Sequence, residues 1–391
     1  NFNIMSAILE TYARRPLSFS HGKGCYLYST SNEKYLDFVS GIAVNALGHC
    51  HSHLVEVIQK QAEKLWHVSN AFEIPEQEKL AKRLVDNSFA DHVIFMNSGA
   101  EATEASIKIA RKYFYEKGQG HKNRIITFKG AFHGRTLASL FAANNSEHIK
   151  GFGPKVDGFD QVSFGDHEGL KKAINENTAA IMVESILGEG GIKVIPSECL
   201  IGLRKICDEK NLLLILDEVQ CGIGRTGKFL AFEWSGIKPD IVPIAKAIGG
   251  GFPIGACLVN KKAGSGMKPG SHGSTFGGNP LAMSVGNAVL DIILQKGFLS
   301  NVIALGKYFE GELLKLKEKF PDIIEDIRGK GLLKGVKLKV DNLTFMNLLF
   351  ENKLLVVKAS ENVIRLLPPL TVNKSEIDEA ISIIHKTCEQ V

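Results

Sequence analysis

Asp217 and Lys246, 29 residues apart, are the pair from which a reaction is most easily built. Asp217 follows the apolar run Leu212-Leu213-Leu214-Ile215-Leu216, and Lys246 follows the run Asp240-Ile241-Val242-Pro243-Ile244. Each run reads as a buried strand, so both side chains are expected at the carboxyl edge of one sheet, where α/β sheets bind ligands. Lys246 lies between Ala245 and Ala247, ahead of Gly249-Gly250-Gly251. Desolvation in that setting would lower its pKa and favour the neutral amine that forms a Schiff base. Ser98-Gly99-Ala100 opens a helical stretch whose free N–H groups and positive dipole end suit a phosphate, while Ser98 serves equally well as a plain N-cap. Phe132 offers a flat face for an aromatic ring, or else a core side chain. A phosphate cup, a stacking aromatic, an acid for a ring nitrogen and a Schiff-base lysine together describe a pyridoxal phosphate site.

Two other patterns lead elsewhere. Gly222-Ile223-Gly224-Arg225-Thr226-Gly227 spells a nucleotide fingerprint. That motif should join a strand directly to a helix, yet Asp217-Glu218-Val219-Gln220 intervene and no capped helix follows. As a P-loop it lacks the Ser or Thr that holds magnesium, because Phe229 follows Lys228, so a P-loop nucleotide hydrolase is only a distant alternative. A glycine-rich turn is expected. His49-Cys50-His51-Ser52-His53 gathers metal-ligand types, but no Cys/His pair elsewhere has zinc spacing. It is read as a turn with polar histidines, with no metal.

The elements that must position these residues follow from periodicity. Strands are expected at 93–96, 124–128, 179–183, 212–216, 240–244 and 255–259, alternating with helices at 99–117, 166–176, 198–210 and 280–295. That alternation predicts an α/β fold whose mostly parallel sheet is covered by helices. After Lys296-Gly297 come a long charged helix (299–319), a strand (331–339), a helix (343–352), a strand (362–366) and a terminal helix (375–389), read as a smaller α+β domain. The division expected is an N-terminal segment 1–52 packing with the small domain, a large cofactor-binding domain 53–290 and a small domain 291–391.

Composition narrows the class. With 391 residues, 44% hydrophobic and 23% charged, the chain is neither disordered nor fibrous. No apolar run reaches the ~18 residues of a membrane span. The net charge of +5 is spread along the chain, which argues against a nucleic-acid surface. Seven cysteines, odd in number and without a CxxC pair, suggest free thiols in a reducing cytoplasm, and the first residues show no secretory-leader pattern.

The motifs Asn97-Ser98-Gly99-Ala100-Glu101-Ala102, Phe132-His133-Gly134-Arg135-Thr136, Gly188-Glu189-Gly190-Gly191, Asp217-Glu218-Val219-Gln220, Ala245-Lys246-Ala247 and 273–280 resemble, in order, those of the class III pyridoxal-phosphate aminotransferases. The stretch 41–49 is most similar to the acetylornithine subgroup, including members that also use succinyl-diaminopimelate. The resemblance implies the aspartate-aminotransferase-like fold (fold type I). It also implies that Lys246 forms the Schiff base and then shuttles a proton. Asp217 would keep the pyridine nitrogen protonated, Gln220 would bond the phenolic oxygen, and Val219 would lie under the ring opposite Phe132. Ser98, Gly99 and Ala100 would hold the phosphate, while Ser274 and Thr275 would reach substrate and phosphate from the partner subunit of a homodimer. Arg135 would take the donor's distal carboxylate, and Arg365 the α-carboxylate of glutamate or 2-oxoglutarate, with Glu189 neutralising Arg365 otherwise. The reaction implied moves the terminal amino group of N-acetylornithine to 2-oxoglutarate. Ornithine, succinyl-diaminopimelate and 4-aminobutyrate are the alternative donors. The chain departs from the family at Ser185, where proline is usual, and at Leu187, where glutamine is usual. Ile42 replaces the tyrosine of ornithine aminotransferases.

Overall fold

The computed structural model describes residues 7–391, so the first six residues of the expected 1–52 segment lie outside the described residues. Its centre is a seven-stranded sheet in the order His92–Met96, Gly255–Val259, Ile241–Ile244, Leu213–Asp217, Thr178–Glu184, Arg124–Phe128, Phe159–Val162. Gly255–Val259 runs antiparallel to both its neighbours, and the pairings from Ile241–Ile244 to Phe159–Val162 are parallel. Alternation along each strand divides the core into two layers. Ile181, Val183, Leu214, Leu216, Val242 and Ile244 point into one, and Ala180, Met182, Leu213, Ile215 and Ile241 into the other. Both faces are buried, which is why these strands read as unbroken apolar runs.

The helix Gly99–Glu116 covers one face with Ala105, Ile109, Ala110 and Phe114. The helix Ser197–Glu209 covers the other with Leu200, Leu203 and Cys207. Burying each such Leu or Ile contributes roughly 1.5–3 kcal/mol, enough to fix both helices against the sheet. No single helix among the described residues is long and apolar enough to cross a membrane. Five of the seven cysteines are buried, and all are free.

Towards the C-terminus the helix Phe298–Lys319 leads to an antiparallel sheet ordered Ile324–Lys330, Leu333–Leu338, Val363–Leu366, Val357–Ala359. The N-terminal strands Phe19–Lys23, Tyr26–Ser29 and Lys34–Asp37 form a meander that Leu354–Leu355 extends, with Leu36 opposite Leu354.

The structure corrects several sequence-based boundaries. The expected strand 331–339 is the second arm of a hairpin whose first arm, Ile324–Lys330, is too polar to be recognised. Phe159–Val162 was missed because Asp160 and Gln161 fill its middle, which an edge strand tolerates. The helices Ser52–Ala62 and Pro75–Asp86 were missed too, and 166–176 shortens to His167–Ala173. The Gly222–Gly227 stretch is a run of turns with Arg225 buried inside it, as its context required. In the histidine cluster, His49 bonds Asp37 at 2.7 Å and His53 bonds Asp291 at 2.9 Å, so the rings face different partners.

Candidate active site

A cavity of about 410 Å³ opens at the carboxyl ends of the central strands. Its lining includes Ser98, Gly99, Ala100, Phe132, Arg135, Asp217, Val219, Gln220 and Lys246, which come from four separate connections. Asp217 closes its strand and is buried. One carboxylate oxygen meets His133 Nδ1 at 2.8 Å and the other accepts the Val219 N–H at 3.0 Å. Burial works against a charged imidazole at His133, yet the bond and charge of Asp217, helped by Glu184, raise its proton affinity overall. Sequence reasoning gave His133 no role; its place in Phe132-His133-Gly134 was the signal.

Lys246 begins a short 3₁₀ turn, Lys246–Gly249, and its backbone sits in the left-handed region at φ 48°. A non-glycine residue there costs about 1–3 kcal/mol, which the packed surroundings must offset. Burial lowers the affinity of its amine for a proton, and the nearby charge of Arg365 adds to this; Glu189, Asp217 and Glu184 oppose it. The net direction is toward the neutral, nucleophilic form.

Ser98 caps the helix Gly99–Glu116, accepting the Glu101 N–H at 3.2 Å and donating to Glu101 Oε2 at 2.8 Å. The next N–H groups, of Gly99 and Ala100, belong to the first turn, where a helix offers no internal acceptor. A Cβ on Gly99 would stand 2.6 Å from Val219 Cγ1, so only glycine lets the helix start approach the 219 loop.

Arg365 lies on the strand Val363–Leu366 and is 1% exposed. Its guanidinium pairs with Glu189 Oε1 at 2.7 Å and donates to Gln220 Oε1 at 3.3 Å and to the Lys358 carbonyl at 3.0 Å. Arg135 has no carboxylate partner among the described residues. It contacts His148 Nε2 at 3.2 Å, and its guanidinium carbon lies 5.6 Å from the Phe132 ring centroid. Ser274 and Thr275 are not brought to this cavity. The Ser274 hydroxyl accepts from Asn97 Nδ2 and from the Gly277 N–H, both at 3.0 Å, in a separate cleft with Asn70 and His272.

Among the buried carboxylates to which the sequence reading gave no role are Glu184 and Glu218. Glu218 accepts the N–H groups of Ala231 (2.6 Å) and Phe232 (2.7 Å) and the hydroxyl of Ser185 (2.8 Å). Ser185 therefore has a partner that a proline in its place could not serve. Burial pushes Glu218 up to about 7, opposed by these three donors. Because its folded pKa exceeds the ~4.3 of an unfolded glutamate, the native state binds the proton more tightly. Its ionisation thus costs stability as pH rises through that window. Urea midpoints of Glu218→Gln and the parent, compared from pH 5 to 8, are expected to shift in the variant's favour as pH rises. A pH-independent difference would contradict this assignment.

The donor set fits pyridoxal phosphate. An amine driven towards neutrality, a carboxylate backed by His133, a first helical turn with free N–H groups and a slot bordered by Phe132 and Val219 meet in one cavity, and glycine at 99 lets that turn pack against Val219.

Known proteins agree. The aminotransferase class-III family model matches residues 10–388. The acetylornithine aminotransferase of Mesorhizobium japonicum is 56% identical over 377 residues, covering 96% of this chain and 94% of that protein. The N-acetylornithine aminotransferase of Stenotrophomonas maltophilia K279a superposes with a TM-score of 0.85 at 33% identity, covering 97% of both chains. The ornithine aminotransferase of Toxoplasma gondii, whose active site holds PLP at partial occupancy, gives 0.94 at 32% identity over 98% of this chain and 92% of that one. Cavity geometry, family match and relatives converge, and the chain belongs to the class III aminotransferases, enzymes that depend on pyridoxal phosphate.

Proposed function

We propose that this enzyme transfers the terminal amino group of N-acetylornithine to 2-oxoglutarate, yielding N-acetylglutamate 5-semialdehyde and glutamate, a step of arginine synthesis in the cytoplasm. The observation that carries this reading is the pairing of Arg365 with Glu189, together with an Arg135 that has no carboxylate partner among the described residues. Two substrates of unlike charge must use one cavity. The acylated donor brings its only carboxylate at the end remote from the reacting amine, where Arg135 receives it. Glutamate brings a second carboxylate, next to its reacting carbon, and Arg365 receives that one after Glu189 withdraws.

When bound, pyridoxal phosphate supplies an electron sink for the electron pair left as a proton leaves the carbon bearing the amino group. Lys246 Nζ takes that proton and returns it on the other side of the transfer. Asp217 holds a proton at the pyridine nitrogen, and His133 holds Asp217. Gln220 would hold the cofactor at its phenolic oxygen, Phe132 and Val219 would border its ring, and Ser98, Gly99 and Ala100 would hold its phosphate.

The same reading makes the active unit a homodimer. Trp66 (63% exposed), Phe72 (67%) and Phe276 (62%) leave large apolar surfaces uncovered. Asn70, near Phe72, bonds the carbonyls of Ser274 and Gly277, so these side chains share one region. A second copy covering it would bring Ser274 and Thr275 to the neighbour's cavity. A single-chain mass in sedimentation would exclude this arrangement. Free ornithine is the second reading, favoured by the structural likeness to the Toxoplasma enzyme and disfavoured by Ile42.

The gate is tested by Glu189→Gln. With the neutral side chain, Arg365 stays charged and unpaired when the acylated donor binds. Its kcat/KM is expected to fall about tenfold, the order of a charged hydrogen bond, while glutamate stays within about twofold. Both half-reactions unchanged would remove the gate from the account.

A further inference from the structure

Glu184 has a position that neither the proton chemistry nor the carboxylate recognition above uses. It ends the strand Thr178–Glu184, in register beside Asp217, and is buried. Its two oxygens go to different loops. Oε1 accepts the backbone N–H of Phe132 at 2.9 Å, and Oε2 accepts that of Gly188 at 3.1 Å. Phe132 faces the ring slot, and Gly188 directly precedes Glu189, the partner of Arg365.

The two loops also touch. A Cβ on Gly190 would lie 2.6 Å from the Gly130 carbonyl oxygen, so they pack backbone to backbone. On its far side the Glu189 loop is held by the sheet that carries Arg365. The Glu189 carbonyl accepts the Ser360 N–H at 2.9 Å, and the Gly191 carbonyl accepts from Arg328 at 3.0 Å. The 188–191 segment is therefore a bridge between the ring slot and the Arg365 strand, and Glu184 anchors its inner end.

We propose that Glu184 is a positioning residue that ties the ring-facing loop to the Glu189-bearing loop, so that filling the ring slot fixes the resting position of the gate. This rests on the reading of Glu189 and Arg365 given above. A carboxylate suits the task because it offers acceptors in two directions and no donor, whereas an amide offers one acceptor and turns its NH₂ towards the other N–H. One buried N–H then loses its partner. Burial, reinforced by the charge of Asp217, pushes the Glu184 carboxyl up to about 7, with His133 and the two N–H donors acting against this. Ionising this carboxyl is therefore costly, and the two loop contacts work against that cost.

Hydrogen–deuterium exchange of the cofactor-loaded protein tests the tie without any substrate. Glu184→Ala, which removes both acceptors, is expected to speed exchange about tenfold or more in both 129–136 and 186–191, with the strand Leu213–Asp217 unchanged. Acceleration of one loop only, or of neither, overturns the proposal. If the variant does not fold, the parent alone decides. Adding pyridoxal phosphate to cofactor-free protein should slow exchange in both segments together, and protection confined to 129–136 overturns the tie. A silent Glu189→Gln would refute the gate while leaving this exchange result intact, so the two failures are distinguishable.

Discussion

Lys246→Ala is expected to lower transamination by at least about 10⁴-fold, because it removes both the nucleophilic amine and the group that carries the proton between the two carbons. The fold should survive. Among the described residues its amine has no hydrogen-bond partner that would hold neighbouring elements, and alanine inherits the same left-handed backbone position. Lys246→Arg separates charge from chemistry. It keeps a cation in the cavity, but a guanidinium stays protonated and cannot serve as a neutral nucleophile. Both variants should therefore be inactive, with far-ultraviolet circular dichroism close to that of the parent and, for Lys246→Ala, a similar urea midpoint. An alanine variant retaining a tenth of the parent rate would remove Lys246 from the chemistry.

Asp217→Asn is expected to cost about 10³-fold in kcat, within the range that a positioned proton donor or acceptor supplies. The change preserves volume and can keep the acceptor for the Val219 N–H, but it deletes the charge that His133 faces at 2.8 Å. Cofactor occupancy should change much less than kcat, since the Lys246 amine and the first helical turn are untouched. Loss of cofactor with normal turnover of the loaded fraction would instead make Asp217 a binding residue only.

The large sheet was legible because both its faces are buried, so its strands appear as runs such as 179–183 and 212–216. The chemistry was legible because Asp217 and Lys246 stand directly after two of those runs. Phe159–Val162 and Ile324–Lys330 were not legible, since an edge strand and a hairpin arm carry polar residues that no periodicity separates from loop. Glu184 and Glu218 were hidden for another reason. A glutamate after an apolar run looks like the solvated end of a strand, and only the tertiary fold brings the N–H groups of Phe132, Gly188, Ala231 and Phe232 onto it. Ser274 was readable as a motif residue, but its place in a separate cleft of the single chain was not.

The central claim is tested most directly by an absorbance titration of the pyridoxal-phosphate-loaded protein with N-acetylornithine, ornithine, succinyl-diaminopimelate and 4-aminobutyrate, with Lys246→Ala as control. N-acetylornithine is expected to bleach the visible band at the lowest concentration, 2-oxoglutarate to restore it, and the control not to complete the cycle. A band that no acylated donor alters, or that free ornithine bleaches at lower concentration than N-acetylornithine, would contradict it.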